Sequence, residues 1–185
     1  MLDLLIELGN LKRLPRTGWL LRGIPNPESI ADHSYRVALI TLFLADELKK
    51  RGVGVNVERA LKIALLHDIG EARITDIPKT AQHYLDKGKA EKKAVMELLL
   101  SSPMPMEYFK LWREYEEETS LEGKLVKFAD RLEMLIQAYE YEKAGFRNLD
   151  EFWDVLDSLR ESEFYGHFGE LVEGLATLRK QNRLR

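Results

Sequence analysis

LKIALLHDIGEA, residues 61–72, has the pattern of an apolar helix that ends in an adjacent histidine and aspartate, His67 and Asp68. Neighbouring residues on a helix point about 100° apart. Both side chains can therefore reach one ion only where the helix ends and the backbone turns away. Gly70 follows directly and is expected to permit that turn. The stretch predicts a helix end that carries a chemical site.

Two further polar residues lie within apolar helical patterns elsewhere in the chain. His33 lies upstream in ADHSYRVA, residues 31–38, and Asp130 lies downstream in KFADRLEM, residues 127–134. A buried, unpaired carboxylate is costly, and a shared cation would offset that cost. Imidazole and carboxylate ligands together suit a first-row divalent metal better than calcium. The pattern therefore predicts a metal site built from three helices. Taken alone, His33 would be a histidine at a helix start with its hydrogen bonds satisfied, and Asp130 would pair with Lys127 or Arg131.

Helical spacing covers nearly every long segment, and alternating strand patterns are scarce. Helix caps are predicted at Ser29, with Asp32 three residues on, at Asn56, and at Thr119 with Glu122. Residues 15–27 and 75–79 are predicted to be loops. Further helices are expected at residues 2–11, 89–101, 105–117, 149–161 and 167–181. The chain is therefore predicted to be all-α, with its metal site between central helices.

The composition narrows the class of protein. The chain has 185 residues, 45% apolar and 32% charged, which is typical of a soluble globular domain. A net charge of -3 gives no support for a nucleic-acid polymer or a membrane as partner. Cysteine is absent, which excludes disulfides, thiolate zinc sites and cysteine nucleophiles. We found neither a signal-peptide pattern nor an apolar run of membrane-spanning length, so a cytoplasmic protein is expected.

Three extended blocks resemble the HD-domain metal-dependent phosphohydrolases, and within them the small 5'-deoxynucleotidases of the YfbR and HDDC2 type. The resemblance runs from about Leu11 to Glu142. It implies a single HD domain over residues 1–185, with a metal-binding core at about 29–142 and C-terminal helices at 148–183 packing on it. The similar blocks are LKRLPRTGWLLRGIPNPESIADHSYRVA (11–38), HDIGEARITDIP (67–78) and EYEEETSLEGKLVKFADRLEMLIQAYEYE (114–142).

The resemblance also implies a reaction and a cofactor. Members of that branch hydrolyse deoxyribonucleoside 5'-monophosphates to deoxynucleoside and phosphate. Co²⁺, Mn²⁺, Ni²⁺, Zn²⁺, Fe²⁺ and Mg²⁺ are all compatible with the donor set. One strongly held metal is expected, because His83 and His167 lie outside the matched blocks. Neutral imidazole is the binding form, so activity should fall at acid pH. The residues that match the family's ligands are His33, His67, Asp68 and Asp130, and Asp68 is also expected to act in catalysis.

Two acidic residues follow the helix end. By resemblance, Glu71 positions or deprotonates the attacking water, or protonates the leaving ribose oxygen. Asp76 matches a second acidic residue near the substrate, and Ile77, Pro78 and Lys79 are expected to line the same loop. Alternatively, Glu71 is a surface glutamate at a helix end and Asp76 a turn residue before a proline. A third possibility is that both hold an additional weak Mg²⁺.

The early loop supplies the candidates for substrate binding, Arg16 and Trp19. Arginine offers a planar fork for phosphate, and tryptophan can pack on a sugar or base. In the YfbR branch an arginine directly precedes the tryptophan, whereas this chain has Gly18 there and Arg16 three residues before the tryptophan, as in the HDDC2-like branch. Arg22 is a competing phosphate ligand, and Trp19 is explained almost as well as a core anchor for the loop.

Two charged features near the third block are given structural interpretations. Lys127 is expected to neutralise Asp130 rather than to reach a phosphate, because it lies three residues earlier on the same helix. The acidic run at residues 114–118 is expected to be a solvated helix end.

Two other functions remain open beside the deoxynucleotidase. One is a different HD reaction, on a dNTP, a cyclic nucleotide or (p)ppGpp, against which the small size of the chain argues. The other is a non-catalytic nucleotide-binding protein that keeps its metal, against which Glu71 and Asp76 argue. The expected partners are a small-molecule nucleotide and a second copy of the chain in a homodimer.

Overall fold

A computed structural model describes residues 1–184. Within that range the chain is helical and contains no strand; an isolated antiparallel bridge joins Pro15 and Ser29. The predicted all-α class is therefore confirmed. The α-helices are α1 (Leu2–Glu7), α2 (Thr17–Leu20), α3 (Ile30–Lys50), α4 (Val57–Leu66), α5 (Glu71–Ile74), α6 (Lys87–Leu99), α7 (Pro105–Glu116), α8 (Leu121–Lys143), α9 (Asp150–Trp153), α10 (Val155–Arg160) and α11 (Tyr165–Arg183), with 3₁₀ helices at Leu8–Lys12 and Ala81–His83.

The two longest helices, α3 and α8, pack against each other at the centre, with α4 and α7 beside them. Val37 and Leu48 of α3 are fully buried in this interface. Leu125 of α8 is also fully buried, and Leu132 of α8 is 1% exposed. Burying one such side chain contributes about 1.5–3 kcal/mol. The central core therefore holds α3 and α8 in a fixed relation, which matters because each carries one of the predicted metal ligands.

Two of the predicted caps are confirmed. The Ser29 hydroxyl accepts a hydrogen bond from the Asp32 backbone N–H at 3.1 Å, and the Asp32 carboxylate accepts one from the Ser29 N–H at 2.9 Å. The Asn56 side chain accepts a hydrogen bond from the Arg59 N–H at 3.0 Å and so begins α4. These caps satisfy backbone donors that have no partner within a helix.

The predicted capping box of Thr119 and Glu122 is wrong. Helix α8 begins one residue later, and the Ser120 hydroxyl accepts the hydrogen bond from the Gly123 N–H at 3.0 Å. Glu122 instead accepts a hydrogen bond from the backbone N–H of Asn56 at 2.8 Å, just before α4. Its carboxylate thus joins two helices instead of closing its own.

The acidic run at residues 114–118 is not simply a solvated helix end. Glu114 is buried on α7, and its Oε2 accepts a hydrogen bond from Arg59 Nε at 3.0 Å. Tyr115 is also buried and faces the centre of the molecule. The end of α7 therefore packs against α4 and α8, and the expectation for this run is corrected accordingly.

The predicted terminal helices are divided in the structure. Residues 2–12 form the short helix α1 followed by a 3₁₀ helix, and residues 149–161 contain the two short helices α9 and α10. Asp154, between α9 and α10, keeps helical dihedral angles of φ -59° and ψ -24°, so the interruption is slight. Helices α9, α10 and α11 all contribute to one layer that packs on α8.

Within the described part of the chain, every helix is too short or too polar to cross a membrane.

Candidate active site

The first turn of α3, the residues after α4 and the middle of α8 bring together His33, His67, Asp68 and Asp130. Nε2 of His33 lies 3.1 Å from Oδ1 of Asp130 and 3.4 Å from Nε2 of His67. Oδ2 of Asp68 lies 3.2 Å from Nε2 of His67 and 3.6 Å from Nε2 of His33. Two imidazole nitrogens and two carboxylates therefore face one point, an arrangement that suits a divalent cation.

Each imidazole is held by its other nitrogen. Nδ1 of His67 lies 2.7 Å from the backbone carbonyl oxygen of Ala64, and Nδ1 of His33 lies 2.5 Å from Oε2 of Glu133. Donation from Nδ1–H to these oxygens directs each Nε2 into the cluster, where the unprotonated nitrogen can offer its lone pair to a cation, the usual arrangement of metal-binding histidines. The donor set therefore fits a bound cation in its orientation as well as in its chemistry.

The carboxylates and imidazoles of the cluster shift one another's pKa values. Burial alone would raise the pKa of Asp68 and of Asp130, but His67 and His33 outweigh it and hold both values well below the usual range. Burial and the Arg16 charge oppose protonation of His33, yet hydrogen bonds to Asp130 and Glu133 raise its pKa to about 10. A cation binding at His33 must therefore compete with a proton.

Gly70 does not supply the predicted turn through an unusual backbone conformation. Its φ of -62° and ψ of -28° are helical values. A Cβ at this position would instead lie 2.7 Å from Cγ2 of Val95 and 3.3 Å from Cγ of Glu91, both on α6. The glycine is needed because α6 approaches the histidine–aspartate turn closely. The expectation that Gly70 permits the turn is therefore wrong, and close packing against α6 explains the glycine instead.

Glu71 begins α5 and is fully buried beside the cluster, so it is not a surface residue. Among the residues that the structure describes, neither carboxylate oxygen has a hydrogen-bond partner. The nearest cations are Nζ of Lys87 at 3.7 Å and Nη1 of Arg16 at 3.8 Å. Burial, reinforced by the charge of Asp68, raises the pKa of Glu71 well above its ordinary value. A buried carboxyl without a partner, next to a metal-type cluster, is a candidate for proton transfer.

Arg16 and Asp76 come from two separate loops that meet over the cluster. Nη1 of Arg16 lies 3.3 Å from Oδ2 of Asp68 and 4.0 Å from Oδ1 of Asp76. The backbone N–H of Thr17 donates a hydrogen bond to Oδ2 of Asp76 at 2.6 Å, and the Thr17 hydroxyl donates one to the Asp76 carbonyl at 2.8 Å. Asp76 therefore fixes the early loop in place and also faces the site.

A cavity of about 640 Å³ opens beside the cluster, a size within the range of small-molecule sites. Thr80, Lys87, Tyr115 and Lys127 also contribute to its wall. His33 and His67 are fully buried behind that wall. The cavity is lined by all the other residues predicted for the site, namely Arg16, Trp19, Asp68, Glu71, Asp76, Ile77, Pro78, Lys79 and Asp130.

Trp19 contributes to the cavity wall but is only 2% exposed. Its Nε1–H donates a hydrogen bond to Oε1 of Glu28 at 2.9 Å. Its ring packs on Phe152, with centroids 4.0 Å apart, and meets the edge of Tyr141 at 5.2 Å. These contacts are those of an anchor that fastens the early loop to α8 and α9, with one part of the ring left at the cavity.

Arg22 and Lys127, the other basic residues considered as phosphate ligands, lie in different surroundings. Nε of Arg22 donates to Oε1 of Glu151 at 2.7 Å, near the rim of the cavity. Lys127 does not pair with Asp130 as expected; its Nζ lies over the ring of Tyr115, 3.6 Å from the centroid. The hydroxyl of Tyr115 donates to Oδ2 of Asp130 at 2.8 Å instead. The expected neutralisation is therefore replaced by a hydrogen bond from α7, which leaves the lysine at the cavity wall.

Three residues of the site were missed by the sequence reasoning: Tyr115, Glu133 and Lys87. Glu133 follows Asp130 by three residues, a spacing that places both on one face of α8 and could have identified it. Tyr115 lies within a block that resembles the family, but no pattern distinguishes it from a core aromatic. Lys87 lies on α6, outside the similar blocks, so nothing in the sequence indicated it.

Comparisons with known proteins agree with this geometry. A family model described as HD_3, HD domain, matches residues 8–165. The "5'-deoxynucleotidase HDDC2" of Danio rerio is 43% identical over 146 residues, covering 77% of this chain and 70% of the relative. The human "5'-deoxynucleotidase HDDC2" is 36% identical over 164 residues, covering 83% of this chain and 75% of the relative.

Solved structures show the same fold. A conserved hypothetical protein from Pyrococcus furiosus is 54% identical, with a TM-score of 0.88 over 96% of this chain and 99% of the other. The PH0347 protein from Pyrococcus horikoshii OT3 is 47% identical, with a TM-score of 0.87 over the same shares of the two chains. The matched family model covers the whole metal-type cluster and the loops above it, and the chain belongs to the HD-domain family.

Proposed function

We propose that this protein is a metal-dependent 5'-deoxynucleotidase, which hydrolyses deoxyribonucleoside 5'-monophosphates to deoxynucleoside and phosphate. The observation that carries the proposal is the convergence of two imidazole Nε2 atoms and two carboxylates beside a buried glutamate and an arginine. The relatives named 5'-deoxynucleotidases support the choice of substrate. Hydrolysis of a phosphomonoester is accelerated by a Lewis acid, a proton donor and a positively charged group that binds the phosphate, and the site has residues suited to hold the metal, to donate the proton and to bind the phosphate.

His33, His67, Asp68 and Asp130 are proposed to hold the divalent cation. When bound, the cation supplies charge stabilisation for the phosphoryl group and makes water a better nucleophile near neutral pH. Nitrogen and oxygen donors in this mixture accept Co²⁺, Mn²⁺, Ni²⁺, Zn²⁺, Fe²⁺ and Mg²⁺. The alternative in which Glu71 and Asp76 hold an additional weak Mg²⁺ stays a prediction.

Glu71 is proposed to protonate the leaving oxygen. Its raised pKa means that its carboxyl retains a proton at a pH where an ordinary glutamate is ionised. As the oxygen of water attacks phosphorus, the bond between phosphorus and the ribose 5' oxygen breaks, and its electron pair leaves with that oxygen. Glu71 gives its proton to the departing oxygen and recovers one from the attacking water.

The charge of the cavity makes substrate binding depend on the cation. Six acidic and five basic side chains line it, and because Glu71 keeps its proton, the negative and positive charges of the lining balance. A divalent cation adds two positive charges, which favour a phosphate dianion. Arg16 lies beside the cluster and is proposed to orient the phosphate. Trp19, Asp76, Ile77, Pro78 and Lys79 form the adjoining wall and are proposed to surround the deoxyribose and base.

A homodimer and a cytoplasmic location complete the proposal. Leu2, Leu5 and Ile6 of α1 are each more than half exposed, and exposed apolar groups of this kind favour association. The absence of cysteine is compatible with a reducing compartment. Light scattering on the purified protein tests the dimer, and a mass of one chain at micromolar concentration would contradict it.

The test of substrate class is phosphate release from a panel of deoxynucleoside monophosphates, ribonucleoside monophosphates, deoxynucleoside triphosphates and cyclic nucleotides. Each is incubated with Mn²⁺, Co²⁺, Mg²⁺ or EDTA. We expect release from the deoxynucleoside monophosphates with metal and none with EDTA. Release of triphosphate or pyrophosphate would indicate another HD reaction, and tight nucleotide binding without turnover would favour a non-catalytic protein.

A further inference from the structure

We infer that Glu133 is a positioning residue for the metal site and that Arg36 holds it in place. Glu133 acts through His33 and does not itself enter the cluster. The inference rests on the proposed function, because it takes His33 to be a metal ligand.

The contacts of Glu133 use both of its carboxylate oxygens. The side chain is fully buried, and Oε2 lies 2.5 Å from Nδ1 of His33. Oε1 accepts a hydrogen bond from Nε of Arg36 at 2.8 Å, and Nη2 of Arg36 lies 2.8 Å from the same oxygen as an ion pair while donating its hydrogen bond to Gln137. A buried carboxylate is stable only with such charged or hydrogen-bonding partners, so the orientation of Glu133 is determined by the two residues of α3.

The two imidazoles of the cluster are held in different ways. His67 donates to the carbonyl of Ala64 within its own helix, and that support does not depend on any side chain. His33 depends on Glu133, which lies on another helix. Donation from Nδ1–H to Glu133 determines which ring nitrogen of His33 keeps its lone pair for the cluster. Loss of this carboxylate would therefore free the His33 ring but leave His67 unchanged.

Arg36 and Glu133 have the same sequence spacing from the two proposed ligands on their helices. Arg36 follows His33 by three residues on α3, and Glu133 follows Asp130 by three residues on α8. One helical turn beyond each ligand, a charged side chain bonds across the same helix–helix interface. The pair therefore fixes the separation of α3 and α8 where His33 and Asp130 must meet a shared ion. Arg36 continues outward to Glu140, whose Oε2 lies 2.8 Å from Nη1.

The test compares Mn²⁺ affinity, measured by isothermal titration calorimetry, in the wild-type protein, Glu133→Gln and the control Glu140→Gln. The glutamine keeps the shape of the side chain, but its NH₂ must face either His33 or Arg36, both of which are donors. We expect Glu133→Gln to bind Mn²⁺ about 10–100-fold more weakly. Glu140→Gln removes only the exposed contact of Arg36 and should bind as the wild type does. At saturating Mn²⁺ the kcat of Glu133→Gln should recover, whereas a merely structural defect would lower thermal stability without moving the affinity.

Unchanged Mn²⁺ affinity in a folded Glu133→Gln would overturn the inference. Arg36→Gln is measured in parallel, because Glu133→Gln could fail to fold. Weaker Mn²⁺ binding by Arg36→Gln would support the inference, and unchanged affinity would overturn it. A wild-type protein that hydrolyses substrate and binds Mn²⁺ while both variants match it leaves the proposed function intact. A wild-type protein that binds no Mn²⁺ contradicts the proposed function and the inference with it.

Discussion

Arg16 and Arg22 lie in the same early segment, and both are candidates to bind the phosphate. Their different ion-pair partners indicate that Arg16 is the phosphate ligand. Arg16 lies against Asp68 beside the cluster, whereas Arg22 pairs with Glu151 at the rim. We expect Arg16→Ala to lower kcat/KM by about 100-fold, because a cation aimed at the phosphate is lost. Arg22→Ala should change it less than about threefold, since an exposed ion pair contributes little. Steady-state kinetics of the two variants decide between them, and a larger loss in Arg22→Ala would reverse the assignment.

Metal affinity should rise with pH. The pKa of His33 is raised to about 10, so its ring holds a proton at neutral pH, and a cation must displace that proton. The expected increase in Mn²⁺ affinity is at most about tenfold per pH unit between pH 6.5 and 8.5. Calorimetric titrations in buffers of different ionisation enthalpy measure both the affinity and the proton released. Constant affinity without proton release would contradict the hydrogen-bonding assigned to His33.

Among the site residues, the sequence predicts those that belong to a recognisable pattern, but not those that tertiary packing brings to the site from other helices. His33, His67, Asp68 and Asp130 were found because two imidazoles and two carboxylates interrupt apolar helices. Their grouping follows from the structure, and their role as ligands stays a prediction. Asp130 accepts its hydrogen bond from Tyr115 and does not pair with Lys127 as expected, because the position of α7 cannot be deduced from the spacing on α8.

The start of α8 gives a test at the scale of a single element. Ser120→Ala removes the hydroxyl that accepts from the Gly123 N–H and should cost about 1 kcal/mol of unfolding free energy. Thr119→Ala is the matched control, because Thr119 is exposed and lies outside the cap; its effect should stay within about 0.5 kcal/mol. Urea unfolding of both variants measures the difference, and equal losses would argue against the observed helix start.

The sequence could not choose between Thr119 and Ser120, because both residue types cap helices and they are adjacent. Glu122 would have decided for Thr119, but its carboxylate accepts from the backbone of Asn56 on a neighbouring segment. Gly70 shows the same limit of local patterns. Its position after His67-Asp68 predicts a turn residue, whereas the close approach of Val95 on α6 is what requires a glycine. Contacts between elements distant in sequence therefore determined both corrections.

For the whole molecule, metal binding should appear as stability. The proposed ligands come from α3, α8 and the segment after α4, so they assemble only when the chain is folded. Mn²⁺ at 100 times its Kd should stabilise the protein by about 2.7 kcal/mol, which corresponds to a rise in Tm of roughly 5–10 °C for a chain of this size. Differential scanning calorimetry with Mn²⁺ and with EDTA measures this increase in Tm. The Asp130→Asn variant should show little of the increase, and a wild-type Tm that does not change with Mn²⁺ would contradict the proposed metal site.

The all-α class followed from helical spacing throughout the chain, but the cavity did not. Its wall needs the early loop and the loop after α5 to meet, and that meeting depends on hydrogen bonds between Thr17 and Asp76, 59 residues apart. No periodic pattern encodes such a contact. The division into a metal-binding core and appended C-terminal helices stays a prediction, although α9, α10 and α11 do pack on α8.

Hydrolysis by this protein is predicted to depend on a cation held by His33, His67, Asp68 and Asp130. The decisive experiment measures phosphate release from deoxynucleoside monophosphates during a Mn²⁺ titration of EDTA-treated protein. Asp68→Ala is compared with Asp154→Ala, which removes an exposed carboxylate from the same cavity. We expect Mn²⁺ to restore release in the wild type and in Asp154→Ala, and to leave Asp68→Ala without activity. Release that persists in EDTA, or that Asp68→Ala retains, would contradict the account.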